Sequence, residues 1–200
     1  MSRRHLRVPA PTPEMRRPWA ATVSVAWGVA LGGTFGCLLP YALGYWHLHT
    51  PAPWWTVAQV VGGILIAGGL AAIVWSFVEF AQAHGTPVPA ASPPRLVVRG
   101  PYGYVRNPIY VGFLAVLGGQ ALLFGSRGLL EYSAISFCVS AAAVCFYEEP
   151  ALARKFRADY VAYRRAVHAW IPRLSAWQPD ASTLTGPLER RRHMRRRPRT

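Results

Sequence analysis

Between Pro18 and Val78 the chain carries no Asp, Glu, Lys or Arg. A charge-free run of that length far exceeds what a buried helix of a water-soluble domain needs, and it leaves room for two passes of the about 20 apolar residues that cross a bilayer core. The run therefore belongs in a membrane, where helices satisfy every backbone polar group internally. Pro40 and the turn Pro51-Ala-Pro53 divide it into a first span over about 19–46 and a second over about 57–81. Two further apolar runs, about 108–125 and 129–147, are separated only by Gly125-Ser-Arg-Gly128. That spacing predicts a tight helical hairpin whose second arm is near the lower length limit for a span. The expected fold class is an all-α integral membrane protein of about four membrane helices, the last two tilted or only partly spanning.

Charge sets the orientation. The chain has 200 residues, which suits one domain, with 22 Lys and Arg against 8 Asp and Glu. Arg3, Arg4, Arg7, Arg16 and Arg17 precede the first span, Arg95, Arg99 and Arg106 lie between the second and third, and Arg154 through Arg199 follow the fourth. Only Arg127 falls on the opposite side, and the Tyr45-Trp-His-Leu-His49 loop has no Lys or Arg. The positive-inside rule then puts both termini and the 82–107 loop in the cytoplasm, as in a multi-pass protein of the cytoplasmic (inner) membrane. Trp46, Trp54 and Trp55 mark the outer interface. A cleaved signal peptide is excluded, because the first apolar run is too long and three more follow. The expected organisation is a basic flexible leader over 1–18, a membrane domain over 19–175 and a basic disordered tail over 176–200.

Small residues recur at Gly28, Gly32 and Gly36 in the first span and at Gly63, Ala67 and Ala71 in the second, which predicts close helix packing. Cys37, Cys138 and Cys145 read as small packing residues, and no metal-ligand motif occurs. The tail Arg190-Arg-Arg-His-Met-Arg-Arg-Arg-Pro-Arg199 suits anionic lipid, each basic residue contributing about 1 kcal/mol at such a surface. Nucleic acid is disfavoured as a partner, since no aromatic platform accompanies the charge.

Chemistry concentrates at the cytoplasmic face. Glu148 and Glu149 sit where the fourth apolar run ends, and adjacent carboxylates at a membrane boundary are costly to place. A hairpin of the third and fourth helices sets the start of one beside the end of the other, which makes Arg106 and Tyr110 neighbours of the glutamates. Asn107 suits an N-cap and Pro108 the first helical position, leaving free N–H groups to attract an anion such as a carboxylate. Arg106 adds a permanent cation, Tyr110 a stacking ring, and the glutamates accept from an ammonium or from ribose hydroxyls. A ligand with a carboxylate, an ammonium, a sugar and an aromatic base satisfies all of these, as S-adenosylmethionine does. A structural ion pair of the glutamates with Arg106 or Arg154 is the competing account. Beyond them, residues 150–167 form an amphipathic helix at the membrane surface, with Leu152, Phe156, Tyr160, Tyr163 and Val167 on one face and Trp170-Ile-Pro172 ending it.

Taken together, Leu96-Val-Val-Arg-Gly-Pro-Tyr-Gly-Tyr-Val-Arg-Asn-Pro-Ile-Tyr-Val-Gly112, Glu148-Glu-Pro-Ala-Leu152, Phe156, Tyr160, Tyr163 and Ile171-Pro172 resemble the isoprenylcysteine carboxyl methyltransferase family. Phospholipid N-methyltransferases are more distant relatives. The resemblance covers a motif core of about 95–175 and implies an integral membrane methyltransferase using S-adenosylmethionine, with a lipid-like or small apolar acceptor entering from the bilayer. It carries cofactor binding onto Leu96, Val97, Tyr102, Asn107, Pro108, Ile109, Tyr110 and Glu148. Arg106 and Glu149 are the candidates for the chemistry, Arg106 to hold the cofactor's carboxylate or orient a carboxylate acceptor, Glu149 as a base toward an amine or thiol. Two positions depart from the eukaryotic pattern: Asn107 stands where those members have His, and Val144 where they have an acceptor-binding Arg. The prenylcysteine substrate does not follow. An NADPH-dependent membrane sterol or enone reductase shares the helix start but not the need for paired carboxylates, since the 2′-phosphate prefers cations. A non-enzymatic membrane scaffold predicts no cofactor binding at all.

Overall fold

The computed structural model describes residues 28–44, 46–48, 52–82 and 96–178. The 1–18 leader, the beginning of the first span, the Pro51 turn residue, Arg95 and the tail beyond Gln178 lie outside the described residues. Within them all regular structure is helical: α1 (Gly28–Gly44), α2 (Trp55–Gln82), α3 (Pro108–Phe124), α4 (Arg127–Ala143) and α5 (Glu149–Ala166). Two segments, Trp55–Glu79 and Arg127–Ala166, are long and apolar enough to cross a membrane, and Gly28–Gly44 and Pro108–Phe124 are shorter apolar helices. Their outer surfaces stay apolar, with Ile64 65% and Phe146 82% exposed. A helix apolar on every side suits lipid around it, not water.

The tightest contact is between α2 and α3, which run antiparallel. A Cβ on Gly62 would lie 2.6 Å from the Gly119 carbonyl oxygen, and one on Gly69 would lie 2.5 Å from that of Gly112. Each pair is separated by about two helical turns, so both glycines of a helix share one face. The expected stripe of Gly63, Ala67 and Ala71 points outward instead, and a Cβ on Gly63 or Gly32 meets nothing. A shift of one residue rotates a helix face by about 100°. Gly28 and Gly36 do pack closely, against the rings of Phe77 and Phe113. Trp55 Nε1 and Gln59 Nε2 then cap the last turn of α3 by donating to the carbonyls of Leu122 and Leu123 at 3.1 and 3.3 Å.

The hairpin forms as expected. Gly125 takes a left-handed φ of 61°, which ends α3, and the Ser126 hydroxyl accepts from Leu129 N to start α4. Two π-turns interrupt the apolar helices, at Thr34–Leu38 and at Val144–Glu148. The first lies within reach of neighbouring donors: Gln120 Nε2 donates to Gly36 O at 2.8 Å, and the Tyr132 hydroxyl to Phe35 O at 2.9 Å. Through the second, α4 continues into α5 as one run from Arg127 to Ala166. Cys37, Cys138 and Cys145 are free thiols exposed on the outer surface, so they do not fill the interior as expected.

On α5 the expected apolar face is present: Tyr160, Tyr163 and Val167 bury against Val98, with Leu152 and Phe156 at the margin. Arg157 breaks the helical path with φ 46° and ψ −114°. The helix stops at Ala166, ahead of Trp170-Ile171-Pro172, because Val167 turns extended. Residues 167–178 then return as a strap over the turn before α3, where Arg106 N donates to His168 O, Arg173 N to Tyr104 O and Trp177 N to Gly103 O, each at 2.9 Å.

Candidate active site

The π-turn at Val144–Glu148 sets the two glutamates against two successive turns of the neighbouring chain. Glu148 ends that turn, and its carboxylate accepts the Tyr110 hydroxyl on the first turn of α3. Glu149 opens α5 and forms an ion pair with Arg106, four residues before Tyr110. The Arg106–Glu149 pair is sheltered, with side chains only 11% and 14% exposed. Arg164 approaches the other oxygen of Glu149 at 3.5 Å. Arg106 is further fixed by donating from Nε to Val167 O at 2.9 Å and from Nη1 to the Tyr160 hydroxyl at 3.2 Å.

The adjacent carboxylates therefore differ in kind. Glu149 is neutralised by guanidinium groups, whereas Glu148 is held by a neutral phenol and has no cation within ion-pair distance among the described residues. The structural ion pair weighed against a site thus exists at Glu149 and not at Glu148.

Asn107 stands at the N-cap of α3, but its side chain makes no cap; the amide donates instead to Ala169 O in the strap at 3.1 Å. Pro108 occupies the first turn as expected, and Val111 N donates to Asn107 O, leaving the N–H groups of Ile109 and Tyr110 without a partner among the described residues. Tyr102 is buried, with its hydroxyl bonded to Ser76 and its carbonyl oxygen accepting from the Tyr163 hydroxyl at 2.7 Å. Burial pushes the Tyr102 phenol well above its ordinary pKa, the Ser76 bond opposes this, and the charges of Glu148 and Glu79 add to the rise. Leu96 packs against the Tyr160–Tyr163–Val167 cluster, and Val97 beside it is half-buried. Neither is brought to the glutamates. Val144, where the resemblance has an Arg, is buried at the start of the π-turn.

Several side chains here were not singled out from the sequence as site residues. Tyr160 and Arg164 complete the surroundings of Glu149, and Trp170 sets its ring edge-on between Tyr110 and Phe137, with centroids 6.3 and 5.4 Å away. The amphipathic period of α5 already put Tyr160 on the buried face. Trp170 carried no such signal, because it sits in a strap whose course depends on backbone bonds to residues about 65 positions earlier.

Helix starts, glutamate pair and buried tyrosines all fall in or beside one recognised segment: a model of the phospholipid methyltransferase family matches residues 57–159, just over half of the chain. The chain belongs to this family of membrane methyltransferases. The match begins early in α2 and ends within α5, so it takes in the glycine seam, the hairpin and both glutamates. Methyltransferases of this family generally use S-adenosylmethionine, and nothing favours the reductase reading. No curated protein and no solved structure matches the chain.

Proposed function

We propose that the Arg106–Tyr110 turn and the Glu148–Glu149 pair form the S-adenosylmethionine site of a multi-pass inner-membrane methyltransferase acting on a lipid-like or small apolar acceptor. The observation that carries this is the unequal state of the two glutamates. Glu149 already has its cations, and Glu148 beside it, accepting only a phenol, is left able to receive an ammonium group. The donors fit the same ligand from the other end: Arg106 Nη2 and the N–H groups of Ile109 and Tyr110 have no partner among the described residues and can bind a carboxylate.

Bound there, S-adenosylmethionine supplies an electrophilic methyl group on a sulfonium. The chain's own residues orient and exclude water. Tyr110 holds Glu148 in one orientation and offers its ring to a flat base; Trp170 closes the apolar side of that ring. Pro108 and Asn107 set the start of α3, with Asn107 tying it to the strap. Tyr102 supports the turn before Arg106, and Leu96 packs against the Tyr160–Tyr163–Val167 cluster that backs it. Glu149 keeps Arg106 in place through their ion pair. Such a site works mainly by positioning, which can supply about 7–11 kcal/mol of a barrier between two bound reactants.

In this reading residues 19–175 are one membrane domain crossing four times, α1 to α4 being the spans, with both termini cytoplasmic and α5 on the inner surface. The 176–200 tail adds attraction to anionic lipid. The buried Val144 argues against the prenylcysteine acceptor of the resembling family, and the phospholipid family description points to a lipid amine as the first acceptor to try.

The decisive measurement is calorimetry of S-adenosylmethionine binding to the detergent-solubilised protein. Glu148→Gln should weaken it at least about tenfold, as loss of one charge-assisted bond does. An unchanged affinity would refute the site. Membranes incubated with methyl-labelled S-adenosylmethionine should then show label in the phospholipid fraction; label in another fraction would reassign the acceptor.

A further inference from the structure

At the inner end of α2, two polar side chains outside the site just described hold the turn that precedes Arg106. Ser76 is completely buried, donates to Ala72 O at 2.6 Å and is hydrogen-bonded to the Tyr102 side chain. One turn further on, Glu79 is the first charged residue after the long apolar run. Its carboxylate accepts from Trp75 Nε1 at 3.3 Å and has no cation within ion-pair distance among the described residues.

What Glu79 touches is Gly100. That residue has a φ of +57°, and a Cβ placed on it would lie 2.6 Å from Glu79 Oε1 and 2.7 Å from its Cγ and Cδ. The turn therefore needs glycine for its backbone angle and again for the carboxyl group lying on its bare face. Gly100–Gly103 leads through Val105 directly into Arg106, so the height of this turn sets where the guanidinium meets Glu149 and where α3 begins. A carboxylate at the end of a membrane helix is costly unless it acts on something. Here it acts on the turn.

We infer that Glu79, with Ser76, is a positioning residue for cofactor binding: α2 holds the 99–103 turn in place through the Glu79–Gly100 and Ser76–Tyr102 contacts. This rests on the cofactor site proposed above. The helix is well suited to the task, because its glycine seam already fixes α3, and one rigid element then sets both the turn and the helix it starts.

Calorimetric affinity for S-adenosylmethionine, measured beside the melting temperature in detergent, tests it. Glu79→Gln keeps the shape and can still accept from Trp75, so it should bind as wild type. Glu79→Ala should bind about tenfold more weakly at an unchanged melting temperature, the scale of a modest misplacement. Gly100→Ala, whose Cβ strikes the Glu79 carboxyl group at a φ of +57°, should bind at least as weakly, and Glu79→Ala/Gly100→Ala should be no weaker than Gly100→Ala alone, since both act on one contact. If Glu79→Ala melts early, Ser76→Ala carries the test, with a loss of about threefold expected from one neutral hydrogen bond. Wild-type affinity in the alanine variants, or a glutamine variant as weak as alanine, would overturn the inference. Glu148→Gln run in parallel separates the two levels: a loss there alone refutes only the role of Glu79, and no loss in either refutes the cofactor site as well.

Discussion

Along the α2–α3 seam Gly62 and Gly69 meet Gly119 and Gly112 backbone against backbone, while at the α4–α5 junction Glu148 and Glu149 meet Tyr110 and Arg106 through the tips of long side chains. The seam tolerates no added atom, because glycine lets two helices approach until their own carbonyls touch. The junction instead depends on a widened turn and on charges whose partners come from three segments: α3 and its approach, α5 and the strap. The two regions divide the labour. Van der Waals contact fixes where α3 stands, and polar contact fixes what its inner end can hold.

The first prediction breaks the seam. Gly112→Leu places its Cβ 2.7 Å from Gly69 O and 2.9 Å from Ile73 Cγ1, and should cost about 3 kcal/mol or more through overpacking. Denaturation in mixed detergent should show the loss, together with loss of cofactor binding. Gly63→Leu, facing outward on α2, should stay within about 0.5 kcal/mol. Equal effects from the two would erase the contrast.

Arg106→Ala attacks the other side of the comparison. It leaves Glu149 with Arg164 alone and removes the Val167 and Tyr160 contacts, for about 2–3 kcal/mol in the same denaturation assay. Because the seam is untouched, α3 should keep its protection from amide hydrogen exchange. Trp170→Ala loses two edge-on ring contacts and should cost about 1 kcal/mol, read as a lower melting temperature. Gln120→Leu should do less than Trp170→Ala. Its Nε2 bond to Gly36 is offset by a buried Oε1 with no partner, so stability should move by less than about 1 kcal/mol.

How much of this could be read beforehand follows from the range of each signal. Helix ends were legible because Pro108, Gly125 and Ser126 act locally, and the meeting of Arg106 and Tyr110 with the glutamates followed from hairpin topology alone. The seam was placed one residue off, at Gly63, because glycines stand at 62, 63, 68 and 69 and a small-residue pattern does not choose a face. Asn107 was read as a cap, yet the strap claims its amide, and the strap is set by bonds far along the chain. The unequal glutamates were illegible for a similar reason: which partner each one meets depends on a π-turn, which no periodicity announces. Ser76 and Glu79 were passed over because the loop they hold is close to them in space and not in sequence.

A π-turn takes up one residue more than the α-turn it replaces. Counted that way, Val144–Glu148 is a one-residue surplus, and everything after it is rotated by about 100° from where an uninterrupted helix would have left it. Chain length here acts as a selector of side-chain direction. An uninterrupted α-helix of the same sequence would change no charge in the molecule, yet it would turn Glu149 away from Arg106.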